Sequence, residues 1–280
     1  MKRRDFLRTT LSALLCMGIP SPALAEIFTS PGHWPSAEYD RNIKDYLDKM
    51  RNFDSPHHDD LLLGHGDRQL LKSSLARFNR LQRLVGHGNF HLLSFDEALI
   101  YAGNNAGVGS FTGQELNFLE KIFYDDARPY GFLGEKPVRN ITDRIRIREV
   151  VKVRGTGNYL HRGEALQMYK KIRRELGKEV ILTSGIRSVV KQFLLFLDKA
   201  DQCNGNLSQA SRSLAPPGYS FHSVGDFDVG QVGFGALNFT NRFAETDVFR
   251  KLVDLGYIKL RYNQDNLLGV RYEPWHIKVV

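Results

Sequence analysis

Residues 217–230 read PGYSFHSVGDFDVG, and this stretch brings one histidine and two aspartates to the start of a predicted strand. The Pro-Gly pair predicts a turn, and the apolar residues from Phe227 to Val232 favour a strand. Carboxylates are rarely buried unless they are paired or bind a metal. Asp226 and Asp228 therefore indicate a functional site at the edge of a core strand.

Two further segments concentrate polar residues where a core is expected. Residues 183–188, TSGIRS, follow the predicted buried strand of residues 180–183, and residues 272–276, YEPWH, lie close to the C-terminus. A hydrolytic zinc site needs three protein ligands, typically imidazoles and a carboxylate, and an open position for water. His222, one of the two aspartates and His276 would supply such a set.

Catalysis at such a site also requires a carboxylate that moves a proton without binding the metal. Glu273 lies three residues before His276 and is held by Pro274, so we expect it to be the general base. Arg187 would offer fixed donors to the developing negative charge or to a substrate carboxylate.

Strands and helices are segregated along the chain, without regular βαβ alternation, which predicts an α+β fold: a small antiparallel sheet with flanking helices that carries a zinc site, preceded by a helical N-terminal region. Capping boxes at Ser94–Glu97 and Thr112–Glu115 open two of the predicted helices. The other predicted helices are His65–Leu84, Gly163–Leu176, Val189–Ala200 and Thr246–Leu255. The predicted strands are Ile145–Val153, Val180–Thr183, Phe227–Val232, Leu267–Tyr272 and Ile277–Val280, and Asn204–Pro217 is predicted to be a long loop.

The N-terminus has the pattern of an export signal. Basic residues, with a pair at Arg3 and Arg4, precede a short apolar run and the small-residue motif that ends at Ala25. This pattern resembles a twin-arginine signal, which implies transport by the twin-arginine machinery, cleavage near Ala25 and a periplasmic protein. We expect residues 1–25 to be the signal, residues 26–139 a mostly helical region and residues 140–280 the domain that carries the zinc site.

Composition narrows the function classes. The chain has 280 residues, of which 42% are hydrophobic and 25% are charged, which excludes a disordered chain. The net charge is +8, and since residues 1–25 hold four basic and one acidic side chain, the remainder carries +5. This mild surplus does not select nucleic acid, and an exported protein argues against it. No apolar stretch is long enough for a stable membrane anchor. After cleavage Cys203 is the remaining cysteine, so no internal disulfide is expected.

Taken together, the motifs resemble the zinc D-alanyl-D-alanine carboxypeptidases of the VanY type, within the group that includes lysostaphin-like peptidases and the hedgehog fold. The matching motifs are Ser-Gly-x-Arg-Ser with a later Gln, Pro-Gly-x-Ser-x-His-x-x-Gly, and Glu-Pro-Trp-His, and the match covers residues 140–280. The resemblance implies zinc ligands at His222 and His276, the base at Glu273 and transition-state stabilisation by Arg187. It also implies substrate binding around Ser220, Tyr219 and Gln192.

One spacing departs from the family pattern. The family places its aspartate seven residues after the first histidine, whereas Asp226 lies four and Asp228 six residues after His222. Both share one face of the predicted strand. We favour Asp228 as the ligand, and the other aspartate would then orient a ligand histidine.

The sequence thus predicts a periplasmic zinc peptidase that hydrolyses the peptide stems of peptidoglycan, either as a D,D-carboxypeptidase or as a crosslink endopeptidase. The alternative is a catalytically silent peptidoglycan-binding or scaffold protein with the same fold, and the shifted aspartate is the feature that favours it.

Overall fold

The computed structural model describes residues 45–280, and residues 46–280 form one compact unit. The predicted export signal and the beginning of the predicted helical region lie outside the described residues. Residues 45–51 are helical. The α-helices that follow are α1 His65–Val85, α2 His87–Phe90, α3 Phe95–Asn104, α4 Gly113–Tyr124, α5 Glu164–Leu176, α6 Val189–Gln202, α7 Leu207–Ser213 and α8 Asp247–Asp254.

In the described part of the chain, the strands are short and form two antiparallel sheets. Their bounds are β1 Val150–Lys152, β2 Tyr159–His161, β3 Val180–Ser184, β4 Phe227–Gln231 and β5 His276–Ile277. The first two strands form a hairpin, and the other three form a sheet in the order β3-β4-β5. Within residues 45–280, six 3-10 turns connect these elements: Arg128–Tyr130, Ile147–Glu149, Gly177–Glu179, Phe221–Ser223, Gly235–Phe239 and Asn241–Glu245. The α+β class predicted from the sequence is therefore confirmed.

Two hydrophobic cores, formed by the residues that the structure describes, support this arrangement. The first, which we call the helical core, is built mainly by α1, α3, α4 and α6, and its centre includes the stacked rings of Phe78 and Phe193, 5.9 Å apart. The second, the sheet core, lies between the three-stranded sheet and helices α5 and α8, with Phe227 and Leu252 fully buried. Helix α6 belongs to the helical core although it directly follows strand β3, so the chain crosses between the two cores there.

The predicted helices are confirmed. They form where apolar residues are spaced so that they lie on one face of a helix and can be buried together. Helix α1 buries Leu71, Leu75, Phe78 and Leu81 along one side. Both capping boxes are present. The side chains of Ser94 and Thr112 accept hydrogen bonds from the backbone N–H groups of Glu97 and Glu115, respectively. The side chains of these glutamates in turn accept hydrogen bonds from the backbone N–H groups of Ser94 and Thr112.

Three predictions about local structure are wrong. Residues 145–149 are not a strand, because the partner strand β2 has three residues and pairs with only Val150–Lys152. The predicted loop at 204–217 contains helix α7, which the Asn206 side chain caps by accepting from the Gln209 backbone; Asn and Ser favour helix N-caps as well as loops. Residues 267–272 form no strand, because the backbone turns at Gly269, which has φ +74°. Gly131 O packs so closely against Gly269 that it would lie 1.8 Å from a Cβ atom at this position.

Strand β5 is also shorter and earlier than predicted, since it covers His276 and Ile277 rather than residues 277–280. No helix among residues 45–280 is both long enough and apolar enough to cross a membrane.

Candidate metal centre

Three side chains from separate segments meet at one point inside the protein. His222 Nε2 lies 3.2 Å from Asp228 Oδ1, and His276 Nδ1 lies 3.3 Å from the same oxygen. All three residues are at most 3% exposed. One ligand atom from each lies within 4.8 Å of the others, so a single metal ion can contact all three.

The sheet explains this meeting. Asp228 on β4 pairs directly with His276 on β5, and directly opposed residues of antiparallel strands project from the same face. His222 reaches the same face from the 3-10 turn Phe221–Ser223 that precedes β4. Between them the chain passes through Gly225 at φ +152°, a conformation that side-chain-bearing residues rarely adopt.

The donors fit a zinc ion. Asp228 Oδ1 is buried and has no hydrogen-bond partner among residues 45–280, although it lies between two imidazole nitrogens. An orphaned buried carboxylate oxygen is costly unless a cation completes its surroundings. Two imidazoles and one carboxylate are a common catalytic zinc set, and three protein ligands leave a fourth position for water or substrate.

Each histidine is held by a contact on its other ring nitrogen. His222 Nδ1 donates to the carbonyl oxygen of Gly185 at 2.8 Å, which leaves Nε2 as the ligand atom. His276 Nε2 donates to Asp226 Oδ2 at 2.9 Å, which leaves Nδ1 toward the centre. Such contacts fix the tautomer and the ring orientation of a metal ligand.

Asp226 therefore lies on the far side of His276 and not among the three converging atoms. Its Oδ2 also accepts from Arg261 Nε at 2.7 Å, and its Oδ1 accepts from the backbone N–H groups of Val279 at 2.8 Å and Val280 at 3.2 Å. Burial opposes ionisation, but the bonds from His276 and Arg261 outweigh it and hold the pKa of Asp226 well below its usual value.

Glu273 lies beside the centre. Its Oε2 is 3.6 Å from His276 Nδ1, and its side chain is 11% exposed. The tight Glu273–His276 turn, closed by the His276 N–H to Glu273 O bond, brings the carboxylate back toward the ring. Burial raises the pKa of Glu273 to about 7. A carboxyl group with a pKa near neutrality can both accept and return a proton at physiological pH.

Arg187 is anchored against the centre. Its Nη2 donates to Asp228 Oδ2 at 2.6 Å, and its Nε donates to Ser184 Oγ at 2.9 Å. The remaining terminal nitrogen makes no hydrogen bond within residues 45–280. The segment between Ser184 and Arg187 requires a glycine at position 185, because a Cβ atom there would lie 2.0 Å from Tyr159 O.

A cavity of about 370 Å³ opens onto the three ligands, Glu273 and Arg187. Of the three predicted substrate-binding residues, Ser220 lines this cavity, whereas Gln192 and Tyr219 do not. Gln192 is buried behind the wall, where its Nε2 donates to Ala215 O at 2.5 Å. Tyr219 packs edge-on against Phe132, with ring centroids 5.2 Å apart. All three assignments remain predictions.

The cavity also has basic residues that the sequence reasoning missed. Lys191, Lys199 and Arg271 line it, and the Arg271 guanidinium lies 4.9 Å from the Trp275 ring centroid. The lysines were identifiable from their spacing of eight residues on one predicted helix. Arg271 was not, because its position depends on the path of an irregular segment.

Comparisons with known proteins agree with these motifs. Residues 161–280 match the VanY family of D-alanyl-D-alanine carboxypeptidases. The search of curated proteins found no significant match.

Among solved structures, the chain is similar to LdcB, an LD-carboxypeptidase, at 26% identity over 44% of this chain and 59% of that one, with a TM-score of 0.37. It is similar to a VanY D,D-pentapeptidase in complex with Zn(II), at 23% identity over 54% and 88%, TM-score 0.40. It is also similar to the D,D-dipeptidase VanXYg, at 21% identity over 54% and 62%, TM-score 0.43. The chain thus spans less than two thirds of LdcB and of VanXYg.

The family match covers the whole of the candidate centre, since Arg187, His222, Asp228, Glu273 and His276 all lie between residues 161 and 280. Residues 161–280 of this chain are therefore similar in sequence to the VanY-type D-alanyl-D-alanine carboxypeptidases, and the candidate centre lies within this region.

Proposed function

We propose that this protein is a zinc-dependent peptidase that hydrolyses peptide stems of peptidoglycan. The observation that carries the proposal is the buried meeting of His222, Asp228 and His276, with Asp228 Oδ1 between the two imidazoles and Glu273 beside them. Asp228 Oδ1 faces two imidazole nitrogens at the end of an open cavity, which is the arrangement of a metal centre with a free coordination position.

A zinc ion on these three ligands would lower the pKa of a water molecule and polarise a peptide carbonyl. Glu273 accepts the proton of the attacking water and then donates it to the amine that leaves. Its position 3.6 Å from His276, facing the same cavity as the ligands, suits both transfers.

Arg187 has two roles in this mechanism. Its Nη2 holds Asp228 Oδ2, which turns the other carboxylate oxygen toward the two histidines. Its remaining terminal N–H groups face no protein acceptor among the described residues, and they are available to the oxyanion that forms from the carbonyl. Asp226 orients His276, and Ser220 contacts the substrate from the cavity wall.

The cleaved bond is either the terminal D-alanine bond or a crosslink. A carboxypeptidase needs a pocket for the substrate's free terminal carboxylate, whereas an endopeptidase needs a groove that is open at both ends. The twin-arginine-like signal supports a periplasmic enzyme, which is where peptidoglycan stems are accessible.

The experiment is digestion of purified sacculi by the zinc-loaded protein, followed by mass identification of the released products. D-alanine alone indicates a carboxypeptidase, and monomers released from crosslinked dimers indicate an endopeptidase. Glu273→Gln should lower the rate at least about 100-fold while zinc remains bound. Glu120→Gln, at an exposed position on α4, is the matched control and should have the wild-type rate.

A zinc-free protein that binds sacculi without releasing any product would contradict the proposal and support the catalytically silent binding protein instead. A protein that hydrolyses stems equally well as Glu273→Gln would contradict the role assigned to this carboxylate.

A further inference from the structure

One face of helix α6 forms a wall of the cavity. Lys191, Leu195 and Lys199 line it, and their spacing of four residues places them in one row along the helix. These three residues are partly exposed, whereas most other residues of the helix are buried in the helical core. The row therefore faces the space that a substrate would occupy.

Lys191 is a cation that pairs with no acidic side chain among the described residues, although the charge of Asp198 acts on it. Its Nζ donates to Gln82 Oε1 at 3.0 Å and lies 5.9 Å from the Phe90 ring centroid. It makes no ion pair within residues 45–280. Burial and the neighbouring Arg187 charge lower the pKa of Lys191 to about 8. A partly buried ammonium group held near a second cation is unfavourable unless an anion joins it.

The charges of the cavity point to the same kind of ligand. Arg187, Lys191, Lys199 and Arg271 line it, against the two carboxylates of Asp228 and Glu273. Asp228 is already directed at the metal centre and at Arg187. The helix rises about 1.5 Å per residue, so Lys191 and Lys199 are about 12 Å apart along its axis. Positive charge thus extends along the wall away from Arg187.

We propose that Lys191, supported by Lys199, binds a free carboxylate group of the peptide substrate and thereby selects anionic stems. This inference rests on the proposed function, because it assigns a specificity role within the same site. The carboxylate comes either from the substrate's C-terminus or from one of its side chains, and the test separates these sources.

The test compares three synthetic stem peptides with the zinc-loaded full chain. One carries all its carboxylates, the second has its side-chain carboxylate converted to a carboxamide, and the third has a C-terminal carboxamide. Lys191→Met should lower kcat/KM for the first peptide about 10- to 100-fold, the range of a charge-assisted hydrogen bond. The peptide that already lacks the bound carboxylate should lose less than twofold, which identifies the group.

Lys170→Met removes the same charge from an exposed position on α5 and should leave kcat/KM for all three peptides unchanged. Lys199→Met, which breaks no hydrogen bond among the described residues, should give the same pattern with a smaller loss. It also replaces Lys191→Met if thermal melting shows that the latter is unfolded.

The proposal is overturned if Lys191→Met and Lys199→Met affect all three peptides equally or leave all of them unchanged. Binding of the same peptides to a Glu273→Gln background, measured by calorimetry, keeps this inference separate from the proposed function. If no peptide is hydrolysed, but binding depends on the carboxylate and is lost in Lys191→Met, the result contradicts the peptidase activity and supports the binding role of Lys191. Hydrolysis without any carboxylate preference would do the reverse.

Discussion

Replacing Asp226 by asparagine should weaken zinc binding without removing a ligand. The Asp226 carboxylate accepts four hydrogen bonds: from His276 Nε2, from Arg261 Nε and from the backbone of Val279 and Val280. The first two bonds go to one oxygen and the last two to the other. An asparagine has one carbonyl oxygen, so in either orientation its NH₂ group faces two donors.

The size of the effect follows from these contacts. If the amide oxygen turns toward Val279 and Val280, His276 loses the acceptor that orients its ring. Loss of such a contact typically lowers metal affinity 10- to 100-fold, which corresponds to about 1.4 to 2.8 kcal/mol. If the amide oxygen instead faces His276, the backbone N–H groups of Val279 and Val280 are left unpaired next to a residue that is only 1% exposed. Each unpaired group would lower folding stability by about 1–3 kcal/mol.

The assay is a zinc competition titration against a chelator of known affinity, with chemical unfolding of the chelated protein as the second readout. Asp247→Asn is the matched control, since this aspartate is 70% exposed and pairs with Arg250 at the surface. It should change neither quantity by more than about 0.5 kcal/mol. The reasoning is refuted if Asp226→Asn binds zinc as tightly as the wild type and is equally stable when chelated.

Three further predictions test other parts of the structure. Burial raises the pKa of Glu273 from 4.5 to about 7, so the unfolded chain releases this proton at a lower pH than the folded chain, and the chelated protein should lose stability as the pH rises from 4.5 to 7. Glu273→Gln should remove this loss, which is worth up to about 3 kcal/mol at pH 7, and urea unfolding over this pH range measures it. A difference in stability between the two proteins that does not change with pH would contradict this. Thr112→Ala should lower stability by about 1 kcal/mol in the same unfolding assay, because it deletes the α4 cap, and an unchanged midpoint would be the contrary result. Gly185→Ala should lower both the melting temperature and the zinc affinity, because a Cβ atom at this position would lie 2.0 Å from Tyr159 O and would displace the Gly185 carbonyl that binds His222. Calorimetry with and without chelator measures both quantities, and wild-type values for both would contradict this reasoning.

Local sequence patterns predicted the long elements well. Helix α1 has apolar residues at helical spacing, and α3 and α4 have complete capping boxes, so each carries the signals for its own start and buried face. The wrong predictions fall on segments with weak local signals. Helix α7 is rich in Ser and Asn, and it is helical because Asn206 caps it and because Leu207 and Ala210 pack into the helical core.

The sequence by itself determined the helical half, the α+β class and the three polar segments that meet at the centre, because periodicity, caps and motif spacing are properties of neighbouring residues. It favoured Asp228 over Asp226 as the ligand but could not separate them by position, since both share one face of the predicted strand. Only the tertiary structure separated them: the pairing of Asp228 with His276 brings Asp228 between the two imidazoles, and the path of the C-terminal residues places Asp226 behind His276. Pairings between residues some fifty positions apart depend on how the whole chain packs. The same reason hides the basic row on α6, whose lysines line a cavity only because the segments around Ala215 and Arg271 fold opposite them.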